Sequence, residues 1–184
     1  MGNFNGLTQE HFDTYAPEKW SSMVHNLARM KSKDAVQTLS QEAEESIEQY
    51  LTSLMRGSSD EIPNISNQRK VDSQWVYWYR NKQQREELSS FLSKTPLDQN
   101  TIFNIAAHEK HLTLAVVLRH QELWIGLRLA GGAVVDRKNF AAKLSKSWQR
   151  EQFSETLKGI PAGCLIELEG EGFSTEATSL DNLA

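Results

Sequence analysis

The sequence holds a single cysteine, Cys164, so no intramolecular disulfide can staple it. That residue sits in the apolar run Cys164-Leu165-Ile166, where a thiol reads as a small buried hydrophobe in a reducing compartment, and a cytoplasmic location is expected. Also lacking is any run of the roughly 18 apolar residues that a membrane span requires. The stretch Met1-Gly2-Asn3-Phe4-Asn5-Gly6 has neither the basic nor the apolar region of a secretory signal, and Gly6 stands where a myristoylation motif wants a hydroxyl residue. No export and no membrane partner are expected. Excess charge of either sign is missing too. The 20 Lys and Arg against 24 Asp and Glu leave a net charge of -4, so any anion-binding surface must be local.

Signatures of chemistry are equally sparse. Ala130-Gly131-Gly132-Ala133 lacks both the P-loop lysine and the dinucleotide spacing and reads as a turn. No serine stands in a Gly-x-Ser-x-Gly elbow, and Cys164 lies in a strand-like run, so no nucleophile is assigned. His108-Glu109-Lys110-His111 is not the helical H-E-x-x-H arrangement; with His120 it reads as polar hairpin ends, and neither a metal nor a cofactor is expected. Glu122 followed by Asp136-Arg137-Lys138 matches, in residue type, the carboxylates and lysine that hold a divalent cation in nucleases. Asp136 serves equally as the N-cap of a following helix with Arg137 and Lys138 in its solvated first turn, and that plainer account is preferred. Enzymatic activity is left open, with a non-enzyme the preferred reading.

What is present is patterning. With 184 residues and 39% hydrophobic content, the chain can bury one sizeable core, with room for a helical extension. Apolar alternation runs through Ile102–Ala107, His111–Arg119 and Glu122–Leu129, and predicts a three-stranded antiparallel meander with its second turn at His120-Gln121. Leu112, Leu114, Val116 and Leu118 share one face, as do Leu123, Ile125, Leu127 and Leu129. The aromatic run Gln74-Trp75-Val76-Tyr77-Trp78-Tyr79 reads as a strand, then a turn near Arg80-Asn81-Lys82 and a helix to Leu92 that Pro96 ends. A later strand is expected over Cys164–Glu169, and a loose tail from about Glu176.

Helical spacing marks the amino-terminal third. Thr8 can cap a short helix through Tyr15, and Pro17 suits the first turn of another. Trp20, Val24, Leu27 and Met30 form one apolar stripe; Val36, Leu39, Ala43, Ile47, Tyr50, Leu51 and Leu54 form the next. The two runs make one long helix or a broken pair, with Lys31-Ser32-Lys33-Asp34 as the place for a break, and a helix stop is expected at Gly57. Glu42, Glu44, Glu45 and Glu48 give this helix an acidic outer face. The organisation read from these signals is a helical region over 1–57, a linker over 58–72, an α+β sheet domain over 73–175 and a tail over 176–184.

Two function classes follow. The first is a non-catalytic protein-binding or assembly module, acting through the amphipathic helix (Val36, Leu39, Ile47, Leu51, Leu54) and the aromatic-rich sheet surface, with a protein partner or self-association. The alternative is a nucleic-acid-binding or nucleic-acid-processing protein using a basic helix over 137–150, where Arg137, Lys138, Lys143, Lys146 and Arg150 occur with no acid between them. A solvated face, or docking on the chain's own acidic helix, is the plainer account of those cations.

Overall fold

A computed structural model describes residues 4–65, 67–92 and 107–159. Helix α1 (Gln9–Asp13) and two 3-10 turns (Pro17–Lys19, Met23–His25) lead into the long helix α2 (Asn26–Leu51). Then come β1 (Leu54–Ser58), β2 (Ser73–Arg80), α3 (Lys82–Leu92), α4 (Ala107–Lys110), β3 (Leu112–Arg119), β4 (Glu122–Leu129), α5 (Val134–Leu144) and α6 (Ser147–Lys158). The fold is α+β, with an antiparallel sheet in the order β1-β2-β3-β4 after a helical amino-terminal region. The chain divides into two compact units, Met1–Gly132 and Ala133–Ala184. Residues 102–106 and 164–169, where strands were expected, and Pro96 and the tail from Glu176, lie outside the described residues; Ala107 opens α4 rather than closing a strand. Among the described residues no helix is long and apolar enough to cross a membrane.

The aromatic run forms β2 as its β propensity predicts, and it lies inside the sheet with both faces buried. Val76 and Trp78 join Tyr15, Val36, Leu51, Val71, Val116 and Leu118 in one core cluster. Trp75, Tyr77 and Tyr79 join Ala115 and Val117 in a second, on the opposite face. The expected aromatic contact surface is therefore interior, because other side chains pack over both faces of β2. The expected hairpin forms, with Leu118↔Leu123, Val116↔Ile125 and Leu114↔Leu127 paired across it and Gln121 at a φ of 65° in the turn.

Helix α2 runs unbroken through Lys31–Asp34, so the stretch that could have held a break does not. The hydroxyls there do not cap a new helix. Ser32 Oγ donates to Ala28 O at 3.0 Å and Thr38 Oγ1 to Asp34 O at 2.9 Å, so each bonds one turn back within a continuing helix. The regular helical dihedrals lapse instead at Ile47, at φ -124° and ψ 15°. Val36 and Leu51 are buried, and Leu39 and Ile47 pack half-buried against the same core, each such burial contributing about 1.5–3 kcal/mol when complete. Leu54 also reaches this core, but from β1. The helix stops at Leu51, six residues before Gly57, because Leu54–Ser58 gains a ladder against β2 with Leu54↔Arg80 and Gly57↔Tyr77.

The stripe from Trp20 to Met30 is not one helix. Arg29, 0% exposed, reaches back from α2 and donates to Asn26 Oδ1 at 2.7 Å and to the carbonyls of Lys19, Trp20 and Ser22 at 2.5, 3.3 and 3.0 Å. A helix from Pro17 onward would turn those carbonyls into its own ladder, so the two 3-10 turns and the buried guanidinium come together. Burial lowers the Arg29 pKa, opposed by the neighbouring Tyr15.

Candidate functional site

A cleft of about 500 Å³ is lined by Trp20, Ser73, Trp75, Glu109, Arg119, Glu122 and Arg128, with Tyr15, Pro17, Asp72 and His120. Strand register builds it. Arg119 pairs with Ser73 and with Glu122, and Trp75 with Val117, so these side chains emerge on the face of the second core cluster. The guanidinium carbon of Arg128 lies 4.9 Å from the Trp75 ring centroid and that of Arg119 lies 5.9 Å away. Each cation also holds a carboxylate: Arg128 Nη1 donates to Glu109 Oε1 at 2.8 Å, and Arg119 Nη1 lies 3.4 Å from Glu122 Oε2. The Trp75 indole N–H donates to Ser73 Oγ at 2.9 Å. Charges already matched in pairs can orient a polar group in the cleft, but they supply no activated nucleophile. Sequence reasoning missed the cleft because its residues are scattered; the surviving signal was Arg119 facing Glu122 across the predicted turn.

Among the described residues, exposed apolar side chains gather near α2 and on β4. In the 3-10 turn before α2, Val24 is 85% exposed with Met23 exposed beside it, and in α2 itself Leu27 is 66% exposed with Met30. On β4, Ile125 is 60% and Leu127 71% exposed, with Leu123 and Leu112 alongside. These β4 residues share the sheet face that α2 covers over β2 and β3, beyond the reach of that cover.

The five cations expected on one basic helix are divided between two. Arg137, Lys138 and Lys143 lie on α5, Lys146 is extended at the joint with φ -91° and ψ 127°, and Arg150 lies on α6. Lys143, Lys146 and Arg150, spaced i, i+3 and i+7 in the sequence, therefore do not share one helix face. Arg150 turns back to donate to Leu144 O at 2.8 Å and Ser145 O at 3.1 Å, closing the end of α5, while Phe140 and Phe153 meet edge-on at 5.3 Å. Asp136 is not the N-cap expected of it: Ala133 takes that position and Asp136 is buried within the first turn. On the acidic side of α2, Glu42 Oε1 accepts from Phe4 N at 2.7 Å and Glu44 lies 3.6 Å from Arg56. Among the described residues, no three His, Cys, Asp or Glu side chains converge as metal ligands.

No known family, curated protein or solved structure matches the chain.

Proposed function

We propose that this chain is a non-catalytic protein-binding or assembly module that meets a protein partner through the amino end of α2. The observation that carries the reading is the exposed aliphatic strip formed by Met23 and Val24, in the 3-10 turn that precedes α2, with Leu27 and Met30 in the first turns of that 26-residue helix. Scattered exposed apolar residues are ordinary, whereas four at near-helical spacing suit the helix-in-groove mode, in which anchors at i, i+3, i+4 and i+7 enter an apolar groove. The paired charges of the cleft support the non-catalytic part of the reading, and Cys164 in an apolar run supports a cytoplasmic setting. Binding of phosphates by Arg137, Lys138, Lys143, Lys146 and Arg150 is the weaker reading, because Arg150 already closes the end of α5.

A photo-crosslinking residue at Leu27, in cells that make the protein, should capture one defined protein that the same residue at exposed Gln41 does not. Val24→Asp/Leu27→Asp should abolish that capture and leave the melting temperature unchanged. Equal capture from both positions would refute the reading.

A further inference from the structure

A different surface, the free edge of β4, carries an inference independent of the α2 strip. Ser59 N donates to Trp75 O at 3.0 Å, so the backbone of Trp75 faces the β1 side of the sheet. Antiparallel ladders alternate, so Gln74, Val76 and Trp78 turn their backbone groups to β3, where they face Leu118, Val116 and Leu114. Arg119, Val117, Ala115 and Thr113 then turn toward β4 and meet Glu122, Trp124, Gly126 and Arg128. The N–H and C=O groups of Leu123, Ile125 and Leu127 consequently point away from β3. Among the described residues no strand pairs with that outer side, since β4 ends the order β1-β2-β3-β4.

An exposed edge with an aliphatic face is a template for another strand. The sequence of β4 fits itself. Laid antiparallel on a second copy about a two-fold axis through Ile125, it sets Ile125 opposite Ile125 and Leu123 opposite Leu127, all three at positions whose backbone groups are free. On the other face the same register sets Glu122 opposite Arg128 of the second copy, and Trp124 opposite Gly126. Gly126 is already covered by its own Trp124, whose ring lies 3.0 Å from where a Cβ would stand, so on this face the two indoles lie side by side across the axis. Isologous pairing needs each patch to complement itself, and in this register Leu123 meets Leu127, Ile125 meets Ile125, and Glu122 meets Arg128.

We propose that two copies of this chain join through β4, edge to edge and antiparallel about Ile125, making one continuous sheet across the dimer.

Sedimentation velocity on the full chain, from micromolar to several hundred micromolar, should show a monomer–dimer equilibrium. Ile125→Asp sets two carboxylates together on the axis and should leave only monomer, with an unchanged far-ultraviolet spectrum because the side chain is exposed. Leu127→Lys, at an exposed position that faces Leu123 of the second copy, should weaken the dimer at least about tenfold. Amide exchange at Leu123, Ile125 and Leu127 should slow as dimer forms. A monomer at every concentration would overturn the proposal, as would a dimer indifferent to Ile125→Asp. So would edge amides protected equally in the monomer, which would mean that a segment of the same chain occupies the edge.

Discussion

Gly57 faces Tyr77 across the β1–β2 ladder, and the phenol ring fills the space a side chain would need: a Cβ at Gly57 would lie 2.7 Å from Tyr77 Cε2. The ring cannot simply swing aside, because Tyr77 is buried and its centroid lies 5.4 Å from that of Tyr79. Gly57→Ala should therefore cost about 1–3 kcal/mol, as overpacking does, read as a lower urea midpoint with an unchanged slope.

Arg29→Met should be more damaging than an ordinary surface change. Three carbonyls, of Lys19, Trp20 and Ser22, lose their guanidinium donor, and a loss of about 2–4 kcal/mol is expected in chemical denaturation. Arg29→Lys should recover only part of it, since an ammonium lacks the planar fork. Equal stability of all three proteins would show that the buried cation holds nothing.

Alkaline conditions should unfold the protein through its tyrosines. Burial, with Tyr79 and Asp60 adding to it, pushes the Tyr77 hydroxyl up to about 12, and burial raises Tyr15 further, against the opposing influence of Ser32 and Arg29. An unfolded tyrosine ionises near pH 10. The unfolded state therefore sheds protons first; stability is fully present below about pH 10 and falls as pH rises through the folded value. Tyr77→Phe should flatten part of that decline in melting temperature measured between about pH 9 and 12.

Arg150→Ala should release the last carbonyls of α5, at about 1 kcal/mol, with faster amide exchange in the turn around Ser145 and Lys146. If Arg150 instead served phosphates, the same substitution would leave exchange unchanged and weaken binding to a polyanion in a salt-dependent way.

Where periodicity and local chemistry agreed, the sequence was a good guide. The alternation of Leu112–Leu118 against Leu123–Leu129 located β3, β4 and their turn, and the aromatic run located β2. Gly57 misled because a glycine after an apolar stripe is also a helix stop, and only the ring of Tyr77 explains it as a strand residue. Ser32 and Asp34 misled because hydroxyl and carboxylate residues favour caps, yet the Ser32 hydroxyl bonds within its own helix. Arg29 could not be singled out, since its partners are backbone carbonyls that any sequence would supply. The cleft escaped for a related reason: Trp75, Glu109 and Arg128 meet only once the strand register is known.

The length of α2 has a consequence of its own. Its 26 residues extend about 39 Å, at about 1.5 Å per residue. The eight-residue strands β2, β3 and β4 extend only about 27 Å. The helix is thus about two turns longer than the strands it packs on. Arg29 and Ser32, both buried, meet the carbonyls of Lys19, Trp20 and Ser22 and the side chain of Tyr15, so the amino-terminal segment takes the place of the sheet over those first turns. Leu27 stands on the opposite side of the helix from buried Val36 and would stay open however long the strands were.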